Sequence, residues 1–278
     1  SAPDRIQDQE VRLRSVALCL PVNKIITIAN QKGGVGKTTT ALNLSAALAL
    51  SNESVLVIDS DPQGNLTSGL GIKRDAVKLG LYDLYAGKCG IEDVLTRTMV
   101  PNLYVIPTTM DLFVSEIELF EQPERERALK RILDPLKSEF RFIFVDGPRS
   151  FGLLTRNALV ASDSVLVPVQ CEYFAVEGLS LLIKLLWRIR GSFNETLDLE
   201  GILLTMHNRH LSLSRQIAED VRRVFRTKVY DAIIPRNVIL AEAPGHGKPA
   251  ILYAPNSSGA QGYLTLAKEI LNDNSLLF

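Results

Sequence analysis

The sequence predicts an α/β fold: a single doubly wound, mostly parallel sheet with helices on both faces. Three observations predict it. Short apolar runs at 25–29, 55–58, 103–106, 142–145, 165–169, 201–206 and 229–234 carry few polar residues, as strands buried on both faces must. Segments of helical pattern alternate with them, at 38–49, 125–137, 153–160, 176–190 and 214–225, and a last one at 259–271 closes the series. No Pro-, Gly- or Ser-rich linker, internal repeat or low-complexity segment divides the 278 residues. The domain reading is therefore a tail or partner-binding arm at 1–22 and one domain at 23–278.

Composition sets further bounds. Hydrophobic residues at 46% and charged residues at 22% are ordinary for a globular chain with ample core. Lys and Arg, 31 in all, balance 31 Asp and Glu, so no global basic field exists to hold nucleic acid. Any such contact must come from a local patch. Cys19, Cys89 and Cys171 show neither paired nor metal-like spacing, which fits a reducing cytosol. No apolar run approaches membrane-span length, and 1–22 mixes charges with a short apolar stretch, unlike a signal peptide.

The first run is followed at once by Lys32-Gly33-Gly34-Val35-Gly36-Lys37-Thr38-Thr39. Glycines there let backbone N–H groups turn inward on phosphates, and the helix behind them adds its positive end. The ordinary spacing G-x-x-x-x-G-K-[ST] asks for glycine at 31, where this chain has Gln31. The glycines sit instead at 33 and 34, behind an additional lysine, Lys32. Lys37 is placed to reach the β- and γ-phosphates of a nucleoside triphosphate, and the Thr38 hydroxyl suits Mg²⁺. Parallel sheets bind ligands at the carboxyl ends of their strands, so the residues after each run come next. After 55–58 stands Asp59-Ser60-Asp61-Pro62-Gln63-Gly64-Asn65. Carboxylates at i and i+2 of an extended segment point the same way, fit to hold metal-bound water and to orient an attacking one. After 142–145 comes Asp146, placed for the water shell of the metal. Gly147-Pro148-Arg149-Ser150-Phe151 follows it, and Arg149 reads as a solvated loop cation.

The lysine-doubled loop is the deviant Walker A pattern. With the acidic loop behind it, the segment 24–71 resembles the ParA branch of the ParA/MinD ATPases, and the likeness runs over nearly all of 24–271. The resemblance implies an ATPase that uses ATP and Mg²⁺. It implies that the loop from Lys32 to Thr39 binds nucleotide, with Lys32 crossing a dimer interface to the partner's phosphates. It implies that Thr38, Asp59 and Asp146 serve the metal, that Asp61 positions or activates the hydrolytic water, and that Pro235 and Asn237 touch base and ribose. The stretch 170–178 stays close to the family's form, implying a face that helps form the dimer or senses the γ-phosphate. The stretch 242–249 resembles the family's S-E-A-P-S-x-G-K-P. Two departures stand out. After the Asp146 position the family usually continues with cysteine or threonine, two prolines and serine. Ile239 stands where arginine or lysine is common.

Between 205 and 248 the chain carries eight basic residues against four acids, a local +4. Leu213, Ile217, Val221 and Val224 recur at helical spacing and are expected to face the core. Arg215, Arg222 and Arg226 then share another face. Taken alone, this is a surface helix with i,i+4 pairs such as Arg215–Glu219 and Glu219–Arg223. The resemblance implies instead sequence-independent contacts to double-stranded DNA from Arg209, Arg215, Arg222, Arg226 and Lys248. It also implies an ATP-dependent homodimer and a ParB-like protein that stimulates slow hydrolysis. The role implied is segregation or positioning of chromosome or plasmid DNA in the bacterial cytoplasm, on the nucleoid.

Alternatives keep the switch and change what it moves: a protein cargo carried over the nucleoid, or a membrane surface as in the MinD branch. The membrane reading needs a basic amphipathic C-terminal helix, and 267–278 holds one lysine and two acids. A nitrogenase-type reductase needs a cysteine from each subunit at the dimer axis, and these three cysteines do not sit at matching places. Since the glycine loop begins near residue 32, no amino-terminal helix-turn-helix domain and no operator-specific repression are expected.

Overall fold

The structure, a computed structural model, describes residues 23–173 and 175–273. The tail or arm expected at 1–22 and the last five residues of the 267–278 stretch lie outside the described residues. The apolar runs become strands β1 (Lys24–Ile28), β2 (Val55–Asp59), β4 (Leu103–Ile106), β5 (Phe142–Asp146), β6 (Ser164–Gln170), β7 (Asp198–His207) and β8 (Val229–Pro235). A short β3 (Thr96–Arg97) joins them, and the eight strands form one sheet in the order β3-β4-β2-β5-β1-β6-β7-β8. Every pairing is parallel except β3 with β4. The sequence reading holds no β3, because two residues cannot display a period.

Alternation along each strand sorts the core into two layers. Ile26, Ile28, Val55, Val57, Phe142 and Phe144 face one side, beneath helices α1 (Lys37–Leu50) and, at the far end of the chain, Ser258–Asp273. Ile25, Leu56, Ile58, Ile143 and Val145 face the other. That side is covered by α2 (Leu112–Phe120), α3 (Leu153–Ala161), α4 (Ala175–Ser192) and α5 (Ser212–Phe225), and Ser258–Asp273 is α6. Helix α1 is apolar nearly all round because α6 packs over it, with the Thr40 and Tyr263 hydroxyls 3.1 Å apart.

Two expectations are corrected. The helix expected at 125–137 is broken into a 3₁₀ turn (Arg125–Arg127), a short helix (Ala128–Leu133) and a second 3₁₀ turn (Asp134–Ser138). Pro135 lacks the N–H that would continue the helix, and its ring crowds the carbonyl one turn back. In α5 the buried face is Ser214, Ile217, Ala218 and Val221, while Leu213 and Val224 are 46% and 59% exposed. Small side chains set the inward face. The Ser214 hydroxyl accepts the Asn208 N–H at 3.0 Å, which turns the start of the helix toward the sheet. Helix α2 was not foreseen because its outer face, Phe113, Ile117 and Phe120, is itself apolar and hides the usual stripe.

The topology fixes where chemistry is possible. Strand β1 lies between β5 and β6, so its following loop opens at the carboxyl edge beside the ends of β5 and β2. In register, Asp146 stands opposite Ile28 on one side and Asp59 on the other.

Candidate active site

The glycine loop is a preformed cradle. Gly34 and Gly36 take φ of 74° and 96°, a region closed to most side chains, and Gly36 leads directly into α1. Two side chains pin the loop to the sheet. Asn30 donates to the Pro168 carbonyl at 2.7 Å and accepts the Lys32 N–H at 3.0 Å. Thr205 donates to the Val35 carbonyl at 2.8 Å. The sequence reading missed both; the only signal was a polar residue at the end of an apolar run.

The loop borders a cavity of about 450 Å³, lined among others by Gly34, Gly36, Lys37, Thr38, Asp61 and Arg149. Lys37 is buried, and its ammonium donates to the Lys32 carbonyl at 3.4 Å. Burial lowers its pKa, Asp146 and Asp61 pull it back up, and the Arg149 charge pushes it down again. Asp146 is fully buried, and among the described residues neither carboxylate oxygen has a partner at good hydrogen-bond geometry, although the Thr38 hydroxyl lies near enough to act on it. Its pKa is raised well above the carboxylate range by burial, then by Asp59 and Asp61, against the opposing pull of the Thr38 hydroxyl and Lys37. Buried orphan oxygens beside a threonine hydroxyl are the donor set of a hard divalent cation, and Mg²⁺ with its own waters fits them.

Asp59 and Asp61 do not work as a matched pair. Strand β2 ends at Asp59 and the chain turns, so the alternation expected of an extended segment stops there. Asp59 accepts the Thr67 N–H at 2.8 Å, the Thr67 hydroxyl at 2.6 Å and the Asp61 N–H at 3.3 Å. Burial raises its pKa to about 6. It is a buried anchor for the short helix Asn65–Gly69, with its charge close to Asp146. Asp61 opens into the cavity, accepting the Gln63 N–H at 2.9 Å. Arg74, absent from the sequence reading, holds this turn by donating to the Pro62 and Gln63 carbonyls at 3.0 and 2.6 Å.

Lys32 stands apart from the cavity of its own chain. Its ammonium pairs with Glu172 at 2.9 Å, with the two side chains 39% and 51% exposed. Gly33 is open on its outer side and Val35 is buried. Thr39 lines the main cavity and an adjoining one of about 360 Å³, which Pro235 and Asn237 also line. The Asn237 amide accepts the Ile239 N–H at 3.0 Å and donates to Ser258 at 2.8 Å.

The basic residues are less uniform. Arg209, Arg215, Arg226 and Lys248 are exposed. Arg222 is half-buried and engaged in its own chain, donating to Asp231 at 3.3 Å and to the Tyr230 carbonyl at 3.2 Å. Arg223 pairs with Asp220 in place of the expected Glu219.

A parallel sheet whose first strand ends in a glycine cradle, with a buried lysine, buried aspartates and a threonine around one cavity of about 450 Å³, defines a P-loop ATPase. Residues 23–199 match a family model described as an AAA domain. The chain is 52% identical over 249 residues to the sporulation initiation inhibitor protein Soj of Bacillus subtilis, covering 90% of this chain and 98% of that protein. It is 48% identical over 251 residues to the chromosome partitioning protein ParA of Caulobacter vibrioides, covering 90% and 94%. Among solved structures, cobyrinic acid a,c-diamide synthase from Mycobacterium smegmatis, with bound ADP and magnesium, superposes with a TM-score of 0.79 at 32% identity, over 91% and 96% of the two chains. This chain belongs to the ParA/Soj family of chromosome-partitioning ATPases.

Proposed function

We propose that residues 23–278 act as one domain and form an ATP-driven switch. With ATP and Mg²⁺, two copies associate face to face, the dimer holds double-stranded DNA without sequence preference, and hydrolysis releases it. Such a cycle segregates chromosome or plasmid DNA and runs in the bacterial cytoplasm on the nucleoid. A ParB-like protein stimulates an otherwise slow hydrolysis. The observation that carries this reading is the placement of the two lysines. Lys37 is buried in the cavity, whereas Lys32 is half-buried outside it, its ammonium paired with Glu172 at the surface. Such a pair is worth about 0–1 kcal/mol and is readily exchanged for a stronger anion on a second copy.

Other features agree. Phe113, Ile117 and Phe120 on α2 are 52%, 72% and 64% exposed, and Phe113 shares a groove with Asp61 at the mouth of the site. A second copy brought to that face removes their apolar surface from water. In this reading Lys37 and the N–H groups of 33–36 bind the β- and γ-phosphates, and Lys32 reaches the partner's. Asp61 positions the attacking water, and Pro235 and Asn237 contact base and ribose. Thr38 and Asp146 hold Mg²⁺, with Asp59 supporting the acidic end. The metal, when bound, neutralises phosphate charge. Arg209, Arg215, Arg226 and Lys248 supply exposed cations for phosphate contacts, and Arg222 joins them only if it leaves Asp231. Among the described residues no helix is long and apolar enough to cross a membrane.

The test is binding to a non-specific duplex without nucleotide, with ADP and with ATP, at two salt concentrations. Asp61→Ala serves as a trapped dimer and Arg215→Glu as a surface control. The expected result is ATP-dependent, salt-sensitive binding that falls on the order of 10-fold or more in Arg215→Glu. ATP-driven dimerisation without DNA binding would overturn the reading.

A further inference from the structure

The loop after β5 departs from the family pattern at Arg149, and the structure gives that departure a place. Arg149 lines the main cavity together with Gly34, Lys37, Thr38 and Asp61. It also lines a neighbouring groove of about 320 Å³ with Asp61, Gln63, Phe113 and Glu116. It therefore stands on the rim the two share, next to Asp61. Its side chain is exposed, as the solvated-cation reading of the sequence expects, yet it borders the site.

The loop that carries it is held at both ends. The Gly147 N–H donates to the Ile28 carbonyl at 3.1 Å, and Thr155 donates to the Ser150 carbonyl. The guanidinium itself makes no hydrogen bond or ion pair with any described residue, although acids line the same groove. Glu116 is directed elsewhere, accepting the Leu154 N–H at 3.4 Å at the start of α3. Asp61 is held by its own turn. Two cations, Lys37 and Arg149, thus line one cavity, with Asp61 beside them. A phosphate anion bound in that cavity lies within reach of attraction from both cations. A guanidinium presents a planar fork of donors that matches phosphate oxygens two at a time.

We propose that Arg149 is a catalytic cation of this chain, binding the terminal phosphate of ATP from the wall opposite Lys37. In hydrolysis the water oxygen bonds to the γ-phosphorus as the bond to the β–γ bridging oxygen breaks. The electron pair leaves with ADP, and the water proton passes to the released phosphate. Arg149 forms and breaks no covalent bond; it offsets the charge on the γ-phosphoryl oxygens. It therefore discriminates ATP from ADP within a single subunit. The assignment rests on the cavity being the ATP site, and needs neither DNA nor a dimer.

The experiment compares the full chain with Arg149→Ala, Arg149→Gln, Arg149→Lys and Arg149→Pro, the last restoring the family's residue. Binding of ADP and of a non-hydrolysable ATP analogue is measured with Mg²⁺, alongside single-turnover hydrolysis and thermal melting. Arg149→Ala and Arg149→Gln are expected to weaken the analogue on the order of 10-fold while ADP changes less than about 2-fold. Hydrolysis is expected to slow by roughly 10²-fold, with partial recovery in Arg149→Lys. Equal losses for both nucleotides, or no loss for either, would overturn the assignment. If one variant melts early, the neutral Gln and charged Lys variants give the same comparison. Failure of the unsubstituted chain to bind either nucleotide would instead reject the cavity as the ATP site.

Discussion

The carboxyl ends of β1, β2 and β5 and the basic stretch from β7 to β8 carry charge in opposite ways. At the first, Asp59 and Asp146 are fully buried on adjacent strands in fixed register, and Lys37 is buried beside them. At the second, Arg209, Arg215 and Arg226 sit on an exposed loop and helix, and Arg222 is already committed to Asp231. A buried charge without a partner is costly, so it persists only where a ligand repays the cost. An exposed charge is nearly free to place, so its presence says little about a ligand. The buried region is therefore evidence of function by its energetics, whereas the basic stretch becomes evidence only through its response to a duplex.

The sharpest way to break the comparison is Lys37→Ala. It is expected to reduce ATP hydrolysis roughly 10³-fold, read as phosphate release under excess Mg²⁺ and ATP. A loss of less than 10-fold would place catalysis elsewhere.

Asp146→Asn separates function from stability at the same site. It is expected to abolish Mg²⁺-dependent hydrolysis yet stabilise the metal-free, nucleotide-free protein by about 1 kcal/mol, a rise of roughly 2–4 °C in melting temperature. The sign follows from linkage. The folded pKa of Asp146 lies above its unfolded value, so the folded state holds the proton more tightly, and ionisation at higher pH destabilises it. The melting advantage of Asp146→Asn is thus largest near pH 8 and shrinks as pH falls toward the unfolded carboxylate range. A variant that melts below the unsubstituted protein at pH 8 would show that the buried charge is satisfied.

The smallest effect compares two arginines on α5. Arg215→Ala is expected to reduce the slope of log affinity for DNA against log salt by about one, and Arg222→Ala by clearly less. The reason is the existing contact of Arg222 with Asp231 and the Tyr230 carbonyl. Equal slopes would mean that Arg222 leaves Asp231 in the complex.

Much of the fold was legible because parallel strands and their crossover helices must be apolar in continuous blocks. Six of the seven runs lie within a strand and 25–29 overruns β1 by one residue, and the cradle between 32 and 39 could be read from spacing because phosphate binding needs glycines at fixed offsets. The helix at 125–137 was misread because periodicity outweighed Pro135. The inward face of α5 was misread because Ser214 and Ala218, small and weakly marked, pack inward while Leu213 does not. In both places local detail overrode pattern.

The sequence by itself determined the layered α/β architecture, the position of the phosphate cradle and the order of the acidic loops, since each depends on residues close in the chain. Only the tertiary structure decided how those loops meet. It set Asp59 against Asp146 across two strands, turned Asp59 to Thr67 and left Asp61 to the cavity. It also brought Arg149 to the cavity that Lys37 lines and paired Lys32 with Glu172, 140 residues away. Such relations join distant parts of the chain, and strand order and loop direction create them only when the sheet closes its core.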